Sequence, residues 1–334
     1  MSAPSDLLSP DHPAPSRGAR RSATFAAFLD RAGMFVVLAL LFGGCALCVE
    51  NFLSWPNLRG LALAVSMTGM VACTMLFCLA AGDFDLSVGS VVACAGVVAA
   101  LVMNRTGSVA AGIAAALAFG ALVGLVNGTL VAVLRLNALI ATLAVMQIVR
   151  GLGFIASGGS AVGIETDAFF ALGTADLLGV PVPIWITVGC FVAFGFLLER
   201  TVFGRDTLAV GGNPEAAHLA GISVARLKLV IFTLQGAMAA AAGVVLAARV
   251  TSGQPNTSQG FELEVISACV LGGVSLSGGV GRMGFVVAGV LIMGVVQNAM
   301  NLLNVPTFYQ YVARGLILLA AVLFDRWKHR RLGA

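Results

Sequence analysis

Long apolar runs alternate with short polar interruptions along this chain, and the run lengths predict its elements. About 20 residues of apolar helix cross a hydrocarbon core of roughly 30 Å. Uncharged stretches of about 18 residues or more occur at 32–49, 60–82, 86–104, 106–134, 177–198 and 229–248, and 283–313 is long enough for one span and the start of another. Shorter or interrupted runs lie at 136–157, broken by Arg150, at 265–276, and at 307–324, which carries Arg314. The expectation is an all-α polytopic membrane protein of about ten transmembrane elements, with 265–276 as a half-helix. Between Thr201 and Lys228 the pattern turns water-soluble. There Asn213 is suited to cap a short helix with Pro214 in its first position, where no intrahelical N–H is needed, and Gly221 to end it in a left-handed turn. A helix of two turns is too short to stand alone in water, so the membrane domain or a partner must hold it.

Composition agrees with membrane residence. Of 334 residues 59% are hydrophobic and 10% charged, whereas soluble domains carry about 25% charged residues. Charge then supplies orientation. Ten spans put both termini on one side, and fourteen Lys/Arg fall on that face: four Arg before residue 32, Arg135, four over 200–228, Arg282 and four in the basic tail 326–334. The opposite loops hold three, Arg59, Arg105 and Arg249. The positive-inside rule therefore makes both termini and the soluble loop 199–228 cytoplasmic. The basic residues are divided among membrane-flanking segments and form no stripe, which argues against a nucleic-acid partner. Residues 1–31 are Ser-, Pro- and Arg-rich and precede an apolar stretch; no small-residue cleavage site follows that stretch and many further spans do, so they read as an irregular cytoplasmic tail leading into an uncleaved first helix and not as a signal peptide. The domain plan is that tail, a transmembrane domain over 32–325 with its cytoplasmic loop 199–228, and the basic tail 326–334.

The residues that carry chemistry elsewhere are sparse here. His12, His218 and His329 lie outside the runs, so no metal-ligand cluster converges within the bilayer. Cys45 and Cys48 have the spacing of a redox pair but no second pair and no βαβ context, and with the other five cysteines they read as small apolar packing residues. The longest outer loop, 158–183, has Glu165, Asp167 and Asp176 and no Lys or Arg; it is either a docking surface or a solvated rim. Asp83 and Asp85 join the second and third runs and belong at the interface or in a wet, protein-lined cavity. Asp85, with Ser87 beside it, is placed either to cap the third helix or to meet a solute. Gln147 and Arg150, and Gln297, Asn298 and Asn301, sit inside apolar runs, where amide and guanidinium groups line a pathway or bond helices together. Arg314 is expected to snorkel to an outer helix end. Gly120, Gly124 and Gly128 repeat every four residues and should bring their helix close to a neighbour. The stretch 279–284 matches Gly-x-Gly-x-x-Gly but follows no soluble strand, and its glycines suit tight turning better than dinucleotide binding. No Gly-x-x-x-x-Gly-Lys-Ser/Thr occurs, so the chain has no P-loop for ATP.

Three stretches carry a family resemblance. Glu215-Ala216-Ala217, followed by Gly221, resembles the cytoplasmic Glu-Ala-Ala…Gly loop of ABC importer permeases. The segment from Gly82 to Gly89 resembles the Gly-x-x-Asp-Leu-Ser-x-Gly signature of permeases for ribose, xylose, galactose and arabinose, and 262–284 fits the same family in order and spacing. The resemblance extends over 34–327, and 70–78, 251–255 and 265–271 look most like the arabinose-transporting members. It implies a permease of the bacterial inner membrane, not an enzyme, that works as a homodimer. It also implies a coupling helix at Asn213, Pro214, Glu215, Ala216, Ala217 and Gly221 that docks on a separate ATPase subunit, which binds ATP and Mg. No cofactor is expected in this chain. A periplasmic sugar-binding protein would deliver the cargo, L-arabinose by this resemblance, with ribose, xylose, galactose or an amino acid as alternatives within the class. An ion-coupled secondary transporter is the alternative of another class; it would place ionisable groups near the midplane, whereas the carboxylates here lie at ends and loops.

Overall fold

A computed structural model describes residues 17–332, with side chains placed over 33–323 and at 326; residues 1–16 and 333–334 lie outside it. Thirteen α-helices run along the described chain: α1 (Arg17–Cys48), α2 (Trp55–Ala80), α3 (Val88–Thr106), α4 (Val109–Gly128), α5 (Ala138–Ser157), α6 (Asp167–Thr174), α7 (Val182–Arg200), α8 (Val202–Gly212), α9 (Pro214–Leu219), α10 (Val224–Val250), α11 (Phe261–Leu271), α12 (Met283–Leu302) and α13 (Thr307–Leu332). Seven of these helices are long and apolar enough to cross a membrane, the fourth extended to Val133 by a π-helical turn over Thr129–Val133. Gly33–Cys48 and Thr307–Leu323 are shorter apolar stretches. With its 11 residues, α11 rises only about 16 Å, half the hydrocarbon core.

The centre is built by α2, α3 and α10. Every residue of α2 from Ser66 to Ala80 is buried, as is most of α3. Close approach there depends on missing side chains. A Cβ on Gly120 would overlap the carbonyl of Gly236 and one on Gly124 that of Phe232, while one on Gly128 would come within 3.0 Å of the Leu229 Cα. The glycine repeat of α4 is therefore laid against α10. Between α2 and α12 lies α11, its Cys269 thiol 3.6 Å from the Ala72 carbonyl.

Several boundaries differ from those the runs suggest. Helix α1 is already formed at Arg17, the first described residue and ahead of the apolar run; the Ala- and Arg-rich stretch contains no proline to interrupt it. The tail expected to be irregular over 1–31 is thus helical from Arg17; its first sixteen residues are not described. Helix α7 starts at Val182 and not at 177, because β2 (Asp176–Leu177) and β3 (Val180–Pro181) form a hairpin ribbon through left-handed Leu178 and Gly179. A second ribbon pairs β1 (Val162–Gly163) with β4 (Ser252–Gly253). The soluble stretch 201–228 holds two helices where one was expected: Thr201 Oγ accepts from the Gly204 N–H at 3.4 Å to start α8, and Gly204 lets it fold back onto the Leu198 carbonyl.

Candidate functional site

The short helix α9 is capped as its residues dictate. Asn213 Oδ1 accepts from the Ala216 N–H at 2.9 Å, and Pro214 occupies the first turn. Gly221 turns left-handed at φ +91°, with its N–H donating to the His218 carbonyl and the Ile222 N–H to that of Ala217. One face is pinned and the other free. Ala217 is buried, whereas Glu215, Ala216 and His218 are exposed and Leu219 is 83% exposed. Ala217, one of the residues expected to form the coupling helix, is the small residue on which α9 rests. Leu219 was not singled out from the sequence; a lone large aliphatic side chain in a short polar helix was the available signal.

Helix α8 anchors this segment by close backbone contact and by the Phe203 ring, whose centroid lies 5.7 Å from that of Phe77 on α2. A Cβ on Gly211 would overlap the Ala80 carbonyl at the end of α2, and one on Gly278 would lie 2.6 Å from the Gly211 carbonyl. The Gly279 N–H also donates to the Ala80 carbonyl at 2.9 Å. With Gly278 and Gly279 at φ +84° and +76°, the glycines between α11 and α12 form a tight turn against α8 and α2, as the absence of a βαβ unit requires.

The acidic pair of the Gly82–Gly89 stretch lies beside this anchor. Asp83 follows the left-handed Gly82, and its N–H closes the end of α2 on the Cys78 carbonyl at 2.9 Å. Its Oδ2 pairs with Lys228 Nζ on α10 at 2.8 Å. Asp85, 1% exposed, accepts from the Ser87 N–H at 2.9 Å, from Ser87 Oγ at 2.6 Å and from Asn127 Nδ2 of α4 at 3.3 Å. Asn127 also donates to Ser87 Oγ at 2.8 Å, and the Leu86 N–H donates to Thr142 Oγ of α5 at 3.1 Å. Asp85 does not bond to the first-turn N–H groups of α3, contrary to the simple capping expectation; it fixes the N-cap residue Ser87 one step earlier. Burial pushes both carboxyls above the ordinary aspartate range; Lys228 draws Asp83 back down, and Ser87 and Asn127 draw down Asp85.

The polar groups inside the helices separate into bonded pairs. Gln297 donates to Gln310 on α13, and Gln310 Nε2 donates to Asn301 Oδ1 at 3.0 Å and to the Val305 carbonyl at 2.9 Å. Asn298 belongs elsewhere, exchanging hydrogen bonds of 2.8 and 3.0 Å with Asn57 at the start of α2. Arg150 donates to the carbonyls of Pro255 and Thr257 at 3.0 and 2.6 Å and so holds the chain between α10 and α11. Arg314 lies 3.6 Å from Glu264 of α11 and over the Tyr311 ring, and Glu264 also accepts from Thr68 at 2.8 Å. Gln147 stays exposed midway along α5. The described residues contain no group of three or more His, Cys, Asp or Glu able to hold a metal.

A bundle of helices long and apolar enough to cross a membrane, with a capped short helix clamped to one end, defines an all-α polytopic membrane protein. The chain belongs to the family described as branched-chain amino acid transport system, permease component, which it matches over residues 57–322. It is 61% identical to the L-arabinose transport system permease protein AraH of Escherichia coli (strain K12) over 93% of this chain and 95% of that one. It is 54% identical to the L-arabinose ABC transporter permease protein AraH of Azospirillum brasilense over 91% and 89%. Identity to the ribose import permease protein RbsC of Bacillus subtilis (strain 168) is 39% over 91% and 95%. No solved structure matches the chain. The protein is accordingly a multi-pass transport subunit of the bacterial inner membrane, a sugar permease of the ABC importer class and not an enzyme.

Proposed function

We propose that this chain is the permease of an L-arabinose importer, working as a homodimer with a separate ATPase that binds ATP and Mg and with a periplasmic sugar-binding protein. One observation carries the cargo: identity is 61% and 54% to the arabinose permeases against 37% and 39% to ribose permeases, at similar coverage. The outward face of α9, with Glu215, Ala216, His218 and Leu219, supports docking of the ATPase there. The excess of Lys/Arg on the α9 end supports a cytoplasmic location for it and for both termini. Gln147 supports a second copy, because an amide in the middle of an apolar helix gains little from lipid and much from a facing protein or a wet pathway. The bonded amides Gln297, Asn298 and Asn301 act as helix contacts, and Asp83, Asp85, Ser87 and Arg150 as internal fasteners. A single copy needs no tight sugar site, because only a difference in affinity between access states shifts a conformational equilibrium.

The test is a deletion strain lacking other arabinose importers, assayed with labelled arabinose, ribose, xylose, galactose and branched-chain amino acids at micromolar concentration. Loss of arabinose uptake alone is expected; undiminished arabinose uptake with loss of another solute would refute the cargo. Uptake by the purified chain alone, driven by an ion gradient, would refute the ATP-driven reading. The variant Glu215→Arg is expected to reduce co-purification of the ATPase while the chain still inserts.

A further inference from the structure

The chain leaves α9 in two directions and meets the membrane helices by two kinds of contact. Backwards, α8 touches α2 without charge, main chain against main chain at Gly211 and Ala80 and ring against ring at Phe203 and Phe77. Forwards, Gly221 turns the chain into α10, and Lys228, one turn into that helix, reaches Asp83 at 2.8 Å. The pair is enclosed, its side chains 17% and 9% exposed, and Lys228 is the one cation paired with this segment among the described residues. Asp83 leads directly to residues bonded to three other helices. Its N–H is held by α2, Asp85 is held by Asn127 of α4, and Leu86 is held by Thr142 of α5. The five residues from Asp83 to Ser87 thus join α2, α4, α5 and α10 and end at the start of α3. An enclosed ion pair with one fixed geometry resists displacement, and loss of either partner leaves the other charge unpaired in a poorly solvated place.

We infer that the Lys228–Asp83 pair is a positioning contact that carries movement of α9 into the segment from Asp83 to Ser87, and through it to α3 and α5. This rests on reading α9 as the helix that engages the ATPase. Neither residue touches sugar or nucleotide; the pair sets how much solute moves for each ATP hydrolysed.

The test uses the complete complex of permease, ATPase and binding protein in proteoliposomes, with labelled L-arabinose and phosphate release measured together. The double variant Asp83→Asn/Lys228→Met removes both charges, so no charge is left buried alone. It is expected to keep its thermal midpoint and its ATPase partner while transport per ATP falls at least fivefold; Lys228→Arg, which keeps the pair, is expected to stay within twofold of wild type. A double variant with the wild-type transport-to-hydrolysis ratio would overturn the inference, since a purely structural pair would leave that ratio unchanged. Should that variant not accumulate, Asp83→Asn/Lys228→Gln is decided by the same ratio. Failure of the underlying reading is seen separately: Glu215→Arg would then keep both ATPase co-purification and transport, whatever the Lys228 variants do.

Discussion

The α4–α10 contact and the α12–α13 contact join membrane helices by opposite means. In the first, Gly120, Gly124 and Gly236 carry no side chain and the two backbones touch, so any added carbon meets a carbonyl. In the second, Gln297, Asn301 and Gln310 keep the helices together through directed amide bonds. Lipid gives helices no hydrophobic reason to associate, so packing at short range and polar bonds are the remaining sources of attraction. The comparison teaches that a glycine contact tolerates no gain of volume, whereas an amide contact tolerates volume and suffers from loss of a partner.

The strongest way to break the first contact is Gly124→Val. The new side chain would have to displace the Phe232 backbone, at a cost of at least about 3 kcal/mol, and little folded protein is expected in membranes. Normal yield with an unchanged thermal midpoint would mean that α4 and α10 do not touch. Next comes Arg314→Leu, which leaves Glu264 with Thr68 as its remaining partner. The expected loss is about 2 kcal/mol, below that of a fully enclosed pair because both side chains are partly exposed. Restoration by the second change Glu264→Gln, read from thermal unfolding in detergent, would confirm that an orphaned charge causes it.

Gln310→Leu removes the centre of the amide cluster and should cost about 1–2 kcal/mol, as interhelical side-chain bonds are individually modest. Equal effects of Gln310→Leu and Gln310→Ala would assign the loss to hydrogen bonds; a larger loss for Ala would point to packing. Asn298→Leu should cost less, about 0.5–1 kcal/mol, because Asn57 keeps its bond to the Phe52 carbonyl at 2.7 Å. The smallest effect is expected from Arg59→Ala at the exposed pair with Asp176. It should amount to about 0.5 kcal/mol or less, and a midpoint difference that persists in high salt would argue against the surface pairing.

The glycine contact was legible from spacing, though not which helix it would meet. The cap of α9 was legible in full, because Asn213, Pro214 and Gly221 act within a few residues of themselves. Helix α8 was not, since it folds back through Gly204 onto Leu198, nor was α6, whose Phe169 is fully buried against the helices below. Among the site residues, Gln297 and Asn301 were foreseeable as neighbours one turn apart on α12. That Asn298 turns instead to Asn57, and Arg314 to Glu264, was hidden.

The sequence by itself determined that this chain lives in a membrane, roughly where its helices lie and where one soluble helix begins and ends. Those outcomes follow from transfer of apolar residues out of water and from capping, which depend on residue type and on spacing of a few positions. Only the tertiary structure decided which polar groups meet, which face of α9 is left free, and that Lys228 closes on Asp83. A hydrogen bond acts over about 3 Å, and Asn298 and Asn57 are 241 positions apart, so the choice between partners belongs to the packing of helices that no local pattern records.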